Sequence, residues 1–551
     1  MSQEKNNISS SAKASAGKME KIVSLCKRRG FVYPGSEIYG GLANSWDFGP
    51  YGIELKNNIK QNWWKTFVQN REDMVGLDSA IIMNPKVWEA SGHLTEFSDP
   101  LVECLNCHDR LRADQIIKDM NSFSSVVKEF MIKAEILLDD INKDVNIAGI
   151  LIDSSEQMLR DKKLTELNEK EKTTIKNIGE IYNYKLNSAK DKIKIGKNII
   201  KEILNTKKYL GFITQIYLNR FETCPICGSM KWSTPKSFNL MFKTFIGPTE
   251  NDSSVAYLRP ETAQGIFVNF KNIIDSNSIK MPFGVAQIGK AFRNEITPGN
   301  FIFRTREFEQ MEIEYFFNPE KTKWEVKFDE LLEDFKKWMK EIGVDSKKLF
   351  FHDIEKEELA HYSKKTIDVE FDFPFGKKEL FGLAYRTDFD LKNHKLNYKD
   401  QETQEEFTPH VIEPSVGVER MMLAVMLSAY TEEDALTADG KTEIRTVMKF
   451  SKNIAPIKVA ILPLSKKEEL LKISKEIWES LRPLFMTEHH ISGSIGKRYR
   501  RQDEIGTPYC VTVDFETLND KAVTVRDRDT MEQERIAIDK LEKYLGEKFK
   551  L

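Results

Sequence analysis

Apolar residues follow two different spacings along the chain, and each spacing predicts a different element. From Ile53 to Val68 they recur every three or four residues, which predicts an amphipathic helix. From Phe238 to Phe317, strand-like runs alternate with Gly and Pro turns, which predicts an antiparallel sheet. A further strand is predicted at Ala80–Met83, just before Pro85. The pattern therefore predicts an α+β protein that contains helices and an antiparallel sheet.

The pattern changes again near the C-terminus. Ile457–Leu462 is a continuous apolar run typical of a buried strand, and Lys466–Leu481 has helical spacing. This order predicts a separate α/β domain at residues 455–551, following a larger domain at residues 18–452. Residues 1–17 are rich in Ser, Lys and Asn with almost nothing to bury, so we expect them to be disordered.

The segment 115–220 differs from both domains in composition. It is rich in Lys, Asn, Asp, Glu and Ile, contains no proline, and carries apolar residues every three or four positions. Long helices fit this persistent stripe better than disorder, so a helical arm is predicted within an insertion at 104–230. Its Lys-rich face could contact an RNA backbone, although a solvated face is the simpler interpretation.

The overall charge gives no sign of a nucleic-acid partner. The 551 residues carry 83 basic and 85 acidic side chains, a formal net charge of −2, so any RNA contact must come from local patches. No apolar run approaches the roughly 20 residues that span a bilayer. We therefore expect a cytoplasmic protein without a membrane partner.

Four of the six cysteines form two C-x-x-C pairs, Cys104 with Cys107 and Cys224 with Cys227. Four thiolates with this spacing suit a tetrahedral structural Zn²⁺ site. Paired spacing in a cytosolic chain favours metal over disulfides. The alternatives are a thioredoxin-like redox pair and ordinary free thiols, and His108 could replace one ligand.

The stretch from Phe292 to Phe308 holds the most specific pattern in the chain: F-R-N-E, a loop, then R-T-R-E-F. Two antiparallel strands joined by a loop would present Arg293, Arg304 and Phe308 on one floor. Two guanidiniums and a ring suit a nucleotide, because guanidiniums pair with phosphate oxygens and the ring offers a face to the base. A surface hairpin held by salt bridges is the alternative.

Two further segments are candidates for binding anions. Arg420 lies in the first turn predicted after the strand E-P-S-V-G-V, where a helix N-terminus favours a phosphate. No G-x-G-x-x-G or G-x-x-x-x-G-K-[ST] motif occurs, so neither a Rossmann nor a P-loop site is predicted. In the C-terminal domain, G-S-I-G-K-R-Y-R-R suits single-stranded RNA, though a charge run is usually solvated surface. Its basic residues are Lys497, Arg498, Arg500 and Arg501.

Several of these motifs resemble a known family. F-R-N-E with R-T-R-E-F resembles motif 2 of the class II aminoacyl-tRNA synthetases, G-V-E-R ending at Arg420 resembles motif 3, and Pro85 after the long helix resembles motif 1. Four longer segments are similar to the single-chain, homodimeric glycyl-tRNA synthetases. They are R-P-E-T-A-Q-G, F-R-T-R-E-F-E-Q-M-E, V-I-E-P-S and R-Y-R-R-Q-D-E-I-G-T-P. The resemblance implies a class II catalytic domain with an antiparallel sheet flanked by helices, a C-terminal anticodon-binding domain and a homodimer.

The resemblance also implies an activity and its residues. The activity would be ATP-dependent attachment of glycine to the 3′ end of tRNA-Gly through a glycyl-adenylate, with Mg²⁺ near Glu379. The implied ATP site comprises Arg293, Asn294, Glu295, Phe303, Arg304, Thr305, Arg306, Glu307, Phe308, Glu379, Leu380, Gly417 and Arg420. Catalysis would rest on Arg293, Glu295, Arg304 and Arg420. The implied glycine site comprises Arg112, Glu261, Glu312, Glu413 and Ser415.

One departure from the general class pattern bears on the substrate. Glu413 and Ser415 stand where motif 3 commonly carries glycines. Larger side chains there would shrink the pocket to glycine, and a carboxylate would grip its ammonium group. The alternative function is that of a non-catalytic class II paralogue serving as a nucleic-acid-binding accessory subunit. The joint presence of five residues argues against it: Arg293, Glu295, Arg304, Phe308 and Arg420.

Overall fold

The computed structural model describes residues 17–113, 224–229, 231–233, 236–277, 279–296, 299–356, 358–360, 362–436 and 442–550. The predicted helical arm and the predicted disordered residues, apart from residue 17, lie outside these ranges. The chain divides into two compact units, one formed by Met1–Ser98 with Asn239–Leu551 and the other by Asp99–Phe238. None of the described helices combines the length and apolarity that a membrane crossing requires.

The larger unit is built on a seven-stranded sheet that is antiparallel apart from the pairing of one edge strand. In spatial order its strands are Leu349–Asp353, Lys365–Phe373, Gly376–Thr387, His410–Gly417, Glu307–Phe317, Phe283–Phe292 and Met74–Gly76. The edge strand Met74–Gly76 replaces the one predicted at Ala80–Met83, where Ile82 forms an isolated bridge to Leu258. Pro85 does not end a strand; it begins the helix Pro85–Ala90.

Side-chain alternation on strand Glu307–Phe317 decides which face of the sheet is core. Met311, Ile313, Tyr315 and Phe317 are buried in one apolar core together with residues of four helices. These helices are Pro50–Trp64, Trp324–Glu341, Val418–Ala429 and one over residues 17–29. The intervening positions Gln310, Glu312 and Glu314 lie on the other face, so that face is polar where the core face is apolar. The first of these helices confirms the predicted amphipathic helix and continues as a π-helix through Lys65–Gln69.

Helix Ala263–Asn277 lies where the sequence predicted strand-like runs. Its residues Ile266, Phe270 and Ile273 have helical spacing and pack with Phe316 in a second apolar core. The predicted antiparallel sheet is therefore correct in kind but is interrupted by a helix. The apolar run was short enough to fit either element.

The C-terminal domain has the predicted α/β order. Its five strands, in spatial order, are Thr487–His489, Val459–Pro463, Tyr509–Val513, Ala522–Asp527 and Gln533–Ala537. Its helices are Glu468–Leu481, Ile495–Ile505, Thr517–Asp520 and Ile538–Phe549.

The rest of the described chain contains further short elements. The helices are one over residues 17–29, then Phe389–Asn393 and the short turns Glu37–Tyr39, Asp252–Ser254, Phe301–Phe303 and Ser346–Lys348. Two-stranded pairs are Val32–Pro34 with Trp46–Phe48, Lys243–Phe245 with Val255–Tyr257, Tyr398–Lys399 with Glu406–Phe407, and Tyr430–Leu436 with Thr442–Met448.

A buried ionic cluster, the Asp503 cluster, ties this domain to strand Thr442–Met448. The carboxylate of Asp503 accepts from Nε and Nη2 of Arg445, each at 2.8 Å, and from Nη1 of Arg526 at 3.0 Å. Arg445 also donates to Glu433 at 2.7 Å and to the backbone oxygen of Arg528 at 2.5 Å. The cluster therefore fixes the C-terminal domain through charge-assisted hydrogen bonds.

The smaller unit contains a three-stranded sheet among its described residues. The strands, in spatial order, are Arg110–Arg112, Ser98–Glu103 and Lys236–Asn239. Both C-x-x-C turns follow in this unit, with Val102 and Trp232 packed against the cysteines.

Candidate active site

A cavity of about 370 Å³ opens on the polar face of the large sheet. Strands Gly376–Thr387, His410–Gly417 and Glu307–Phe317 contribute residues to it, and so does the connection 293–306. Because these strands are neighbours, residues far apart in sequence meet there. The predicted site residues that line the cavity are Glu261, Arg293, Glu295, Phe303, Arg304, Thr305, Phe308, Glu312, Glu379, Leu380, Glu413, Ser415, Gly417 and Arg420.

Arg293 lies in the connection between the two central strands. The strands end at Phe292 and resume at Glu307, so the predicted hairpin exists but its strands stop short of the arginines. The Arg293 guanidinium lies 5.3 Å from the ring centre of Phe97 and 5.4 Å from that of Phe308. Its Nε donates to a backbone carbonyl at 3.0 Å. These contacts hold an arginine and an aromatic ring side by side at one end of the cavity.

Arg420 belongs to the first turn of helix Val418–Ala429, as predicted for the segment after the strand. Its Nη1 lies 3.0 Å from the Glu379 carboxylate, and its Nε donates to the backbone oxygen of Phe303 at 3.3 Å. Asp368 lines the same cavity. Burial and the nearby Glu379 raise the pKa of Asp368 to about 6. The guanidinium of Arg420 and the carboxyl groups of Glu379 and Asp368 therefore lie together in this part of the cavity.

A second group of cavity residues is dominated by carboxylates. Glu312 is 1% exposed and accepts a hydrogen bond from the hydroxyl of Thr262. Glu261 lies 3.4 Å from Nε2 of His93. Burial and Glu261 raise the pKa of Glu312. Burial acts in the same direction on Glu261, but His93 outweighs it and lowers the pKa of that carboxyl.

Arg386 is the buried cation of this acidic group. Its Nε and Nη2 donate to Asp390 at 2.8 and 3.0 Å, and its Nη1 donates to Glu413 at 2.8 Å. The guanidinium carbon lies 3.9 Å from the ring centre of Tyr362. Burial nevertheless raises the pKa of Glu413 to about 8, with Arg386 opposing and Glu312 reinforcing the shift. Glu413 is therefore held in place by an arginine but tends to keep a proton.

Four predicted site residues do not line the cavity. Asn294, Arg306 and Glu307 lie in or next to the connection but outside the lining. Arg306 donates to the backbone oxygen of Ala43 at 2.9 Å, and Glu307 is exposed and pairs with a lysine of the neighbouring strand. Arg112 belongs to the smaller unit, where it pairs with an aspartate at 2.7 Å. The first three residues lie outside the cavity lining, so their contact with ATP stays a prediction from the family resemblance.

The predicted RNA-binding cluster lies on helix Ile495–Ile505 and consists of Lys497, Arg498, Arg500 and Arg501. Arg498 is 2% exposed and donates to two backbone carbonyls at 2.7 and 3.0 Å. Arg500 binds Glu443 at 2.7 Å, and Arg501 donates to the hydroxyl of Tyr51 at 3.2 Å. For Arg498 these contacts favour a structural role over the predicted RNA contact, because its side chain lies in the interior.

All four predicted zinc ligands meet in the smaller unit. The sulfur atoms of Cys104, Cys107, Cys224 and Cys227 lie within 4.8 Å of one another, and two of the distances are 3.6 Å. Sulfurs 2.3 Å from a tetrahedral zinc stand about 3.8 Å apart, whereas a disulfide needs about 2.05 Å. The donor set therefore fits zinc. His108 is exposed and its Nδ1 pairs with a glutamate at 3.0 Å, so it is not among the grouped ligands.

Sequence reasoning missed three buried charged residues of the acidic group: Glu314, Arg386 and Asp390. The first had a signal in E-Q-M-E-I-E-Y-F-F, where polar side chains stand at every second position: Gln310, Glu312 and Glu314. Arg386 and Asp390 are four residues apart within R-T-D-F-D. That spacing alone does not indicate burial, because exposed ion pairs use it equally often.

Comparison with known proteins places the chain first in a class. Residues 242–430 match the family model "tRNA synthetase class II core domain (G, H, P, S and T)" and residues 458–548 match "Anticodon binding domain". The crystal structure of prolyl-tRNA synthetase from Cryptosporidium parvum complexed with halofuginone and AMPPNP shares the fold. Its TM-score is 0.53 at 12% identity, over 96% of this chain and 76% of that one. The chain is a class II aminoacyl-tRNA synthetase by fold, as predicted.

The particular family follows from full-length relatives. The glycine–tRNA ligase of Caldanaerobacter subterraneus subsp. tengcongensis is 47% identical over 97% of this chain and 98% of that protein. The glycine–tRNA ligase of Geobacillus thermodenitrificans is 46% identical over 97% of this chain and 98% of that protein. The chain therefore belongs to the glycine–tRNA ligase family.

Proposed function

We propose that this protein attaches glycine to the 3′ end of tRNA-Gly, using ATP and a glycyl-adenylate intermediate. The observation that carries the proposal is the 47% identity to a glycine–tRNA ligase along nearly the whole of both chains. The cavity supports it, because arginines suit a triphosphate and carboxylates suit an ammonium group. The alternative of a non-catalytic paralogue has no support among these relatives.

The basic residues of the cavity are assigned to ATP. Arg293 serves the α-phosphate and Arg420 the γ-phosphate, with Glu295 and Arg304 beside them, and Phe308 packs against adenine. The support is that all five side chains line one cavity. Glu379 and Asp368 offer the carboxylate oxygens that Mg²⁺ prefers, and Mg²⁺ bound there would neutralise charge on the phosphates.

The acidic residues of the cavity are assigned to glycine. Glu261, Glu312 and Glu413 receive the ammonium group, and Ser415 fills the space beside the α-carbon. Arg112 stays a prediction from the family resemblance. Exclusion of larger amino acids by the size of the pocket is sufficient for selectivity toward glycine. A binding site rejects a substrate one methylene smaller only weakly, but no amino acid is smaller than glycine, so this difficulty does not arise.

The chemistry then needs no protein nucleophile. A carboxylate oxygen of glycine attacks the α-phosphorus, the bond from that phosphorus to the bridging oxygen of pyrophosphate breaks, and pyrophosphate leaves. A terminal hydroxyl of the tRNA next attacks the glycyl carbonyl carbon, gives up its proton and displaces AMP. The contribution of the side chains is alignment and charge neutralisation, which can supply most of the rate enhancement of such transfers.

Other assignments complete the proposal. The four cysteines hold one structural Zn²⁺, supported by sulfur–sulfur distances of 3.6 Å. The C-terminal domain contacts the anticodon, with Lys497, Arg500 and Arg501 as candidate contacts. The helix Pro50–Trp64 and the segment up to Pro85 form a homodimer interface, and the protein works in the cytoplasm.

Glycine-dependent exchange of pyrophosphate with ATP tests the activity. Purified, zinc-replete protein should exchange pyrophosphate with glycine and not with alanine or serine, because Glu413 and Ser415 are assigned to the space that a substrate side chain would need. It should then charge tRNA-Gly. Folded protein that shows no exchange with glycine would overturn the proposal in favour of a binding role.

A further inference from the structure

A buried lysine on helix Pro50–Trp64 has no role in the assignments above. Lys56 is 5% exposed, and its Nζ lies 2.5 Å from Oε1 of Glu419 and 2.7 Å from Oε2 of Glu309. The ring centre of Phe48 lies 4.2 Å from the same nitrogen. A charge removed from water is costly unless it is paired. The ammonium group therefore bridges the two carboxylates, and we call these three charged residues the Lys56 bridge.

The two carboxylates of the Lys56 bridge belong to different elements around the cavity. Glu309 lies on strand Glu307–Phe317, and Glu419 lies in the first turn of helix Val418–Ala429, one residue before Arg420. Oε2 of Glu419 accepts from the backbone N–H of Glu309 at 2.9 Å. Glu419 therefore ties the start of the helix to the strand, and the lysine neutralises both acids from a third element.

Lys60, one turn further along the same helix, provides an internal comparison. Its Nζ lies 3.0 Å from Oε1 of Glu309, and its side chain is 18% exposed. In the part of the chain that the structure describes, the ion pair of Glu419 is with Lys56 alone. Loss of Lys56 would therefore leave Glu309 paired with Lys60, whereas Glu419 would have no cation.

The charge of Glu419 matters because this residue lines the cavity together with Arg420. The Arg420 guanidinium pairs with Glu379 at 3.0 Å and is assigned to the γ-phosphate. An unpaired carboxylate one residue away would repel the phosphates that the guanidinium attracts. Burial lowers the pKa of Lys56, but Glu419 and Glu309 outweigh burial and raise that pKa above its ordinary value. The lysine therefore keeps its charge.

We propose that Lys56 is a positioning residue for Arg420: it cancels the charge of Glu419 and holds the helix start against the strand, so that Arg420 stays directed at the terminal phosphates of ATP. Lys56 does not line the cavity, so it acts through Glu419. The inference rests on the proposed function and adds to it a residue that touches no substrate. Its loss should affect the use of ATP and leave the use of glycine unchanged.

Removal of the lysine charge tests the proposal. Lys56→Met keeps most of the side-chain volume, and Lys60→Met on the same helix is the matched control. In glycine-dependent pyrophosphate exchange, Lys56→Met should raise the KM for ATP at least roughly 10-fold, because a buried carboxylate loses its cation. The KM for glycine should change by less than about threefold, and the control should change both by less than about threefold.

An unchanged KM for ATP in folded Lys56→Met would overturn the proposal. It would leave the proposed function intact, because glycine would still support exchange in the unaltered protein. If Lys56→Met does not fold, Lys56→Gln replaces it, since an amide keeps a hydrogen-bond donor for Glu419 without the charge.

A second substitution separates this role from a merely structural one. Glu419→Gln keeps an oxygen for the backbone N–H of Glu309 and removes the charge that Lys56 balances. When it is added to Lys56→Met, the KM for ATP should return to within about threefold of that of the unaltered protein, because coupled residues are not additive. A double variant with a KM for ATP as high as that of Lys56→Met would contradict the proposal.

The number of phosphates on the ligand provides an independent readout. AMP lacks the terminal phosphates that are assigned to Arg420. In calorimetry, Lys56→Met should weaken the binding of ATP at least roughly 10-fold and that of AMP by less than about threefold, because the repulsion from Glu419 grows with ligand charge. Equal losses for the two nucleotides would show a general distortion of the cavity and would overturn the positioning role.

Discussion

Two buried ionic clusters in this protein have opposite compositions. In the Asp503 cluster, one carboxylate accepts from Arg445 and Arg526, with Arg500 a further 3.5 Å contact. In the acidic group that includes Glu312 and Glu413 the proportions are reversed, because one guanidinium, that of Arg386, lies among several carboxylates. Both clusters are inside the fold, so composition alone does not distinguish structure from function.

The difference lies in which groups have partners. Arg445 uses the donors left over from Asp503 on Glu433 and on a backbone carbonyl. Glu314, which belongs to the acidic group but does not line the cavity, has no donor among the described residues. An incomplete buried network is destabilising, and the fold tolerates it where a ligand can complete it. A complete cluster therefore indicates a structural role, whereas an incomplete one indicates a binding site.

The largest expected effect comes from breaking the complete cluster. Asp503→Ala leaves two buried guanidiniums without their carboxylate and should destabilise the protein by about 3–5 kcal/mol. The thermal unfolding midpoint should fall clearly, while glycine-dependent exchange at low temperature stays close to normal. Asp275→Asn, which alters an exposed aspartate of a surface helix pair, is the control. An unchanged midpoint would contradict the structural role of the cluster.

Removing a carboxylate of the incomplete cluster should affect binding more than stability. Glu413→Ala deletes one ammonium acceptor and should weaken the use of glycine roughly 10- to 100-fold, the value of a charge-assisted hydrogen bond. ATP binding should survive, because the assigned phosphate contacts are other residues. The two KM values in pyrophosphate exchange measure this. A variant that charges tRNA-Gly normally would rule out the assignment of Glu413.

The proton held by Glu413 should make stability depend on pH. Its pKa of about 8 in the folded state lies above the ordinary value of 4.5. The folded state therefore binds the proton more tightly than the unfolded state. This contribution is fully present below about pH 4.5 and is lost as the pH rises through about 8. As the pH rises from about 6 to 9 without glycine, the thermal unfolding midpoint of the unaltered protein should fall more than that of Glu413→Gln. Added glycine should reverse this difference. Parallel pH profiles for the two proteins would show that Glu413 does not titrate as described.

The smallest effect on the cavity should come from the zinc site, which lies in the other unit. Cys104→Ser combined with Cys224→Ser should abolish the binding of about one zinc per chain, while Cys26→Ala, at a buried thiol outside the group, should not. ATP binding should change by less than about twofold, because the zinc site and the cavity belong to different units and share no residues. Zinc content by atomic absorption and ATP binding by calorimetry measure the two effects. Retention of zinc by the double variant would contradict the four-cysteine assignment.

Much of this site was visible in the sequence because family motifs have fixed spacing. Arg293, Arg304 and Arg420 were predicted together and line one cavity. The four cysteines were predicted from two C-x-x-C pairs and also meet. The sequence did not predict where the strands and helices end. The strand before Arg293 stops at Phe292, and Ala263–Asn277 is a helix where strand-like runs were predicted. Element ends depend on packing that a local pattern does not contain.

Local periodicity and motif spacing were enough to predict the class of fold, the family and most of the residues that line the cavity. Which charged residues are buried, and which of them have partners, became clear only from the three-dimensional arrangement of the chain. Arg498 looked available to RNA and is inside, while Glu314 looked like one of many acidic residues and is inside without a donor. The reason is physical: the cost of a buried charge depends on the neighbours that surround it in space, and those come from strands and helices distant in the chain.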